Sequence, residues 1–275
     1  MGPLLALASA VCYGIVDFAG GLLSRRAPFT SITFFGQLGG LLLAGIAALL
    51  VPAGAVHPID LLWGALSGIG SGTAMHFLNR GLSRGAMSVV VPVSAVTGVA
   101  LSVLCGVLAL GDRPGALAWT GIAVTVPALW LVAGGGAGGR GSDGQMGDGL
   151  LASAGVAVQY VALGLAGPSA GLWPVAAGRV AAVLLLLPTA TRHRLRLPGR
   201  LTAQALLVGA GAALGLILYL LAAQRQLLAV VVVLASLYPA LPVVLGLALL
   251  HERVTRRQTA GLLGAAAATV LLTLG

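Results

Sequence analysis

Apolar runs long enough to cross a bilayer follow one another along almost the whole chain. A hydrocarbon core of roughly 30 Å is spanned by about 20 residues of helix. Ten such runs can be drawn, over residues 3–23, 30–51, 60–79, 86–110, 116–134, 149–167, 172–190, 202–222, 228–250 and 258–274. Only 8% of the 275 residues are charged and 59% are hydrophobic, whereas soluble domains carry about 25% charge. The expected fold is all-α and integral to the membrane, with ten transmembrane helices.

Short turns such as "RRAPFT", "PAGAVHP", "GDRPG" and "AGPSAG" join the runs. One connector differs. The stretch "GGGAGGRGSDGQMGD" is Gly-rich and reads as a flexible linker. It divides the chain into residues 1–134, the linker 135–148, and residues 149–275.

The two halves echo each other. "LASA" occurs at Leu7–Ala10 and again at Leu151–Ala154, and "GDR" at Gly111–Arg113 answers "HER" at His251–Arg253. Gly68, Gly72 and His76 are spaced by four in the third run, as are Gly211, Gly215 and Tyr219 in the eighth. Five runs per half is an odd number, so the second half enters the membrane upside down. Inverted repeats of this kind mark secondary transporters.

These residues carry a resemblance to the drug/metabolite transporter superfamily, in its ten-helix group with two EamA-type repeats. The motifs are "LALGDRPGALAWTGIAV" at Leu108–Val124 and "VVVLASLYPALPVVLGLALLHERVTRRQTAGLLGAA" at Val231–Ala266. The first half departs from the pattern by carrying Asp112 where glutamate is usual. Arg179 matches an arginine often found in the second helix of a repeat, and its counterpart Gln37 is another departure. The resemblance covers nearly the whole chain. It implies a transporter in the cytoplasmic membrane with both termini in the cytoplasm.

Charge gives the opposite orientation. All 15 basic residues are arginine, against 6 acidic ones. Loops on one side hold twelve arginines, among them Arg25, Arg80, Arg140, Arg200 and Arg256, while the other side has only Arg113 and Arg225. Positive loops stay in the cytoplasm, which puts both termini outside. The same distribution speaks against nucleic-acid binding, because the arginines punctuate apolar runs rather than forming a basic face.

Candidate working groups lie within the runs. Ser9, Tyr13 and Asp17 are spaced by four and share a helix face. An ionisable residue at membrane depth is a functional candidate, and Asp17 could hold a proton and a substrate amine in turn. Pairing with a nearby arginine is the structural alternative. Arg179 could anchor a substrate carboxylate through its fork of donors, or snorkel to the interface. His76 and Tyr219 extend the glycine rows, which read as helix-packing seams; His76 is also a candidate for proton coupling. Pro92 and Ser94 in the fourth run, and Tyr238 and Pro239 in the ninth, mark bends. Proline frees backbone carbonyls, and in a membrane these survive where protein or a water-filled cavity satisfies them. The four residues are therefore candidate cavity walls or hinges. Asp112 and Glu252 each precede an arginine and read as local ion pairs. The tryptophans lie near span ends, as in an interfacial belt.

No Gly-rich loop followed by Lys-Ser/Thr occurs, so the chain encodes no ATP drive. Cys12 and Cys105 read as packing residues, and no metal-binding spacing is present. No cofactor is expected. The first run lacks a charged leader and a cleavage site, so it is expected to be retained. The leading expectation is a secondary transporter, monomeric or homodimeric, that exports small metabolites such as amino acids by alternating access, driven by protons or by the substrate's own gradient. Efflux of lipophilic cations is the alternative, since a multidrug branch of the superfamily also has a first-helix carboxylate. A membrane-embedded enzyme or lipid-handling protein is the third reading, and no nucleophile–base motif supports it.

Overall fold

The computed structural model describes residues 2–84, 87–105, 115–132, 140–192, 197–223, 238–251 and 254–274. Among these residues the regular elements are helical: α1 (Gly2–Arg26), α2 (Phe29–Leu50), α3 (Pro58–Arg84), α4 (Met87–Cys105), α5 (Ala116–Val132), α6 (Arg140–Gly164), α7 (Trp173–Arg192), α8 (Gly199–Ala223), α9 (Ala240–Leu249) and α10 (Arg256–Leu274). A short 3-10 turn, Pro168–Ala170, precedes α7. Five described helices are long and apolar enough to cross a membrane: Leu4–Arg26, Phe29–Leu50, Met146–Gly164, Trp173–Thr191 and Gly199–Ala222. The ninth run up to Leu237, the pairs at Asp112 and Glu252, and linker residues 135–139 lie outside the described residues.

Helix α6 begins at Arg140, so residues 140–148, read from composition as linker, are helical. The Asp148 carboxylate supplies a reason. It accepts a hydrogen bond from Arg80 Nε at 2.8 Å and so ties the start of α6 to the end of α3.

Burial is inside out relative to a soluble protein. Leu207 is 70% exposed, and Leu4, Val11, Leu42 and Leu184 are also turned outward, while Ser9, Asp17, Gln37 and Arg179 are buried. An apolar rind over a polar centre is what lipid as solvent demands, since buried polar groups and exposed apolar patches are the informative departures. This is an integral membrane protein.

Packing follows a regular scheme. Helix α2 lies on α8 and α3 on α7; α1 lies on α8 and α6 on α3; α4 lies on α6 and α1 on α9; α2 meets α7 and α5 meets α10. Replacing each helix by the one five places along returns each of these pairs, whereas the α1–α3, α2–α3 and α4–α5 contacts have no counterpart of comparable extent among the described residues. Two crossings show how close the approach is. Gly36 of α2 meets Gly209 of α8, and Gly178 of α7 meets Gly68 of α3; a Cβ on Gly209 or Gly68 would overlap the partner's carbonyl. Glycine is required there because the two backbones touch. The crossing thus matches Gly68 with Gly209, two residues away from the Gly211 suggested by the spacing.

The helix ends sort onto two faces. Arg25 Nε near the end of α1 donates to the Leu82 carbonyl near the end of α3 at 3.1 Å, and Arg80 and Asp148 join the same face. On the opposite face the Gly54 amide donates to the Ser169 carbonyl at 2.9 Å. The Gly167 amide there donates to Asp60 at 2.7 Å. The loops α2–α3 and α6–α7 therefore share one face, and the ends of α1 and α3 meet the start of α6 on the other.

Candidate substrate site

Asp17 sits on the inward side of α1 and is 8% exposed. It lines a cavity of about 70 Å³, whose polar walls are Tyr13, Ser94 of α4, Gln159 of α6 and Tyr238. Among the described residues no hydrogen bond or ion pair reaches its carboxylate. The ring of Tyr238 lies 6.1 Å from that of Tyr13, closing the wall between α1 and the approach to α9. The sequence places Asp17 one or two turns from Arg25 and Arg26; the structure sends Arg25 to the Leu82 carbonyl instead.

Arg179 lines a second cavity of about 50 Å³ together with Thr33, Gln37, Ser71 and Asn79. It is 6% exposed, so it does not snorkel. Its Nη1 donates to Gln37 Oε1 at 2.9 Å and to Ser71 Oγ at 3.2 Å. Both partners are neutral. Asn79 Nδ2 donates to Thr33 Oγ1 at 3.0 Å and fixes the floor. Gln37 and Arg179 directly follow the crossing glycines Gly36 and Gly178, so the two residues that the sequence comparison pairs meet across the α2–α7 contact.

The two cavities adjoin. Tyr13, Met75, Gln159 and Ala212 line both. A guanidinium and a carboxylate, each buried and neither bound to an opposite charge among the described residues, therefore flank one partition at the middle of the helix packing.

Other candidates stand apart. Ser9 Oγ donates to the Gly215 carbonyl at 2.7 Å, which spends the hydroxyl on the α1–α8 contact. Tyr13 packs its ring over Gly215 while still reaching both cavities. His76 lies between Phe29 at 5.2 Å and Phe77 at 5.3 Å, and Tyr219 packs with Ala6 and Ala222; neither lines either cavity. Pro92 is buried within α4, two residues before Ser94 on the cavity wall. Pro239 caps α9 beside Tyr238. The glycine rows are packing seams, as their spacing predicts.

Gln159, Ser71, Thr33 and Asn79 also line the cavities, and none carries a charge that would mark it within an apolar run. The signal for Gln159 was a lone amide inside "AGVAVQYVALG", costly in hydrocarbon unless satisfied.

Comparison with known proteins gives matches of two kinds. Residues 1–134 match the model of the EamA-like transporter family. A solved crystal structure is similar over 99% of this chain and 96% of its own, with a TM-score of 0.62 and 14% identity. At that identity the likeness speaks for the fold, across both halves. No curated protein matches the chain.

Proposed function

Residues 1–134 match the EamA-like transporter family, and on that premise we propose that the chain is a secondary transporter exporting small metabolites such as amino acids by alternating access. The observation that carries this reading is the buried Asp17, lining a central cavity built from both halves of the chain. Asp17 takes a proton when the site is empty and exchanges it for a substrate amine, so that proton entry drives export. It is not an enzyme in this reading: the chain moves its ligand unchanged.

Two inverted five-helix repeats account for the exchange pattern of the packing and for the way helix ends alternate between faces. The site then lies at the repeat interface near the midplane, where secondary transporters bind. Rocking of one repeat against the other opens it to each side. The arginine-rich face, with Arg25, Arg80 and Arg84, is cytoplasmic by the positive-inside rule, which leaves both termini outside. A reporter fused to the C-terminus and active in the cytoplasm would overturn that orientation.

The test is flux in proteoliposomes across a metabolite panel, with and without a pH gradient. The gradient accelerates wild-type flux and leaves Asp17→Asn unaffected. A variant that keeps the wild-type response removes Asp17 from coupling. Tyr13 and Tyr238 beside Asp17 also favour a lipophilic cation, by cation–π contact. Competition of that cation with the metabolite would support this second reading.

A further inference from the structure

Among the described residues, Arg179 is a buried cation with no opposite charge bound to it. A guanidinium carries five N–H donors, and the bonds described here, to Gln37 Oε1 and Ser71 Oγ, both use Nη1. Neither partner is charged, and the side chain is 94% buried, being 6% exposed. A cavity of about 50 Å³ lies against it. Leaving a cation buried without a countercharge is costly unless one arrives. The fork geometry of guanidinium matches a carboxylate in particular.

The adjoining cavity presents the converse case. Asp17 is a buried anion source with open volume of about 70 Å³ before it. Besides Asp17, the titratable groups lining that cavity are Tyr13 of α1 and Tyr238 before α9; α3, α4, α6 and α8 contribute only neutral side chains there. Across the partition shared through Tyr13, Met75, Gln159 and Ala212, the nearest fixed charge on the other wall is Arg179.

We propose that the two cavities are the two ends of one site for a small zwitterion, with its anionic group on Arg179 and its ammonium group on Asp17. This rests on the transport reading above and narrows its substrate class. The charge count gives it a mechanism. Arg179 with ionised Asp17 sums to zero, and a bound zwitterion leaves that sum at zero. An amine alone adds one positive charge to the bilayer interior, and a carboxylate alone adds one negative charge. A one-ended ligand satisfies only one of the two charged walls, and a charged contact at low dielectric weighs far more than in water, so one-ended ligands are disfavoured. The returning site carries one proton on Asp17 and a net positive charge. Each cycle therefore moves one charge inward, and export responds to membrane potential as well as to the pH gradient. Gln159, lining both cavities, sets the spacing of the two ends.

The experiment uses the purified full-length chain in proteoliposomes with matched trios: L-alanine, ethylamine and propionate; and L-valine, isobutylamine and isovalerate. The expected result is that the zwitterion of at least one trio moves at least about tenfold faster than both of its one-ended relatives, a modest discrimination for a charged contact. An inside-negative potential changes that flux at fixed pH. Arg179→Gln lowers zwitterion flux to that of the amine, whereas Arg179→Lys retains an intermediate preference because it keeps the charge and loses the fork. Thermal stability in detergent checks that each variant is folded. An amine or carboxylate moving as fast as its zwitterion, or Arg179→Gln with its preference intact, overturns the zwitterion site while the transport reading stands. Absence of flux for every compound in a wider metabolite panel overturns the transport reading itself.

Discussion

On the two-repeat reading proposed above, the two halves of this protein agree in backbone and disagree in chemistry. Gly36 and Gly178 occupy the same place, each at a helix crossing tight enough to exclude a Cβ on its partner. The next residue is Gln37 in one half and Arg179 in the other, and the two are hydrogen-bonded to each other. Helices α1 and α6 likewise correspond, yet the first brings Asp17 to the centre and the second brings Gln159. A symmetric scaffold thus holds one cation from the second half and one acid from the first. Packing constrains shape at both copies of a crossing, so both keep glycine. A polar centre needs only one of each charge, so the second copy can relax to an amide.

The largest effect expected is at the crossings, and it should be equal in the two halves. Gly68→Val and Gly209→Val each force two touching backbones apart. Overpacking ordinarily costs about 1–3 kcal/mol, and the direct backbone overlap here places both variants at or above the top of that range. Detergent-solubilised protein should show a lowered Tm or fail to elute as a single species in both cases. A severe loss at one crossing and none at the other would break the correspondence of the halves.

Moving the charge across the axis gives the next effect. Arg179→Gln alone should reduce transport by about 100-fold, the scale set by truncating one partner of a buried charged contact. The double exchange of Gln37→Arg with Arg179→Gln puts the guanidinium on α2 and the amide on α7. If the halves are equivalent at this contact, flux in the exchanged protein recovers to within about tenfold of wild type. A double variant no better than Arg179→Gln would mean that only α7 can present the cation correctly.

A polar asymmetry also appears at the helix ends. The α3–α6 pair is pinned at one end by Asp60, which accepts from the Gly167 and His57 amides at 2.7 and 3.1 Å, and at the other by Arg80 and Asp148. The corresponding α8–α1 pair closes with apolar clusters, Ala6 with Ala222 and Leu23 with Ala205. Asp60→Ala strands the Gly167 and His57 amides and should lower the Tm the more of the two. Asp148→Asn should cost about 1 kcal/mol or less, because the side chain of Arg80 is one-third exposed and its charge is screened. Thermal scans at low and high salt separate them: only the second should shrink as salt is added.

Much of this was legible in the sequence, and the reasons differ by feature. Apolar runs announce themselves because lipid accepts few alternatives. The glycine rows announce packing because only small residues let helices touch. Asp17 and Arg179 stood out as charges where charge is rare. The pairing of Gln37 with Arg179 was half visible: the two were matched as repeat counterparts, but one-dimensional alignment does not say that counterparts meet. Ser9 shared spacing with the wall residues Tyr13 and Asp17 and still pointed elsewhere. A spacing of four defines a face of a helix, and a face about 100° wide touches more than one neighbour. Gln159 escaped because an amide carries no charge to notice. The helical start of α6 escaped because glycine content suggested flexibility, while the Arg80–Asp148 contact is between residues 68 apart.

The smallest effect concerns Ser9, the candidate that the structure moves from the cavity to the scaffold. Its hydroxyl donates to the Gly215 carbonyl on α8. The corresponding α6–α3 contact, at Gly155 and Gly70, is a direct backbone approach. Ser9→Ala therefore removes one hydrogen bond from a carbonyl within a regular helix, at a cost of about 0.5–1 kcal/mol. The Tm should fall slightly, and flux and its response to the pH gradient should stay within about twofold of wild type, since that energy is not spent on the ligand. The converse outcome, an unchanged Tm with a collapse of flux, would return Ser9 to the substrate path.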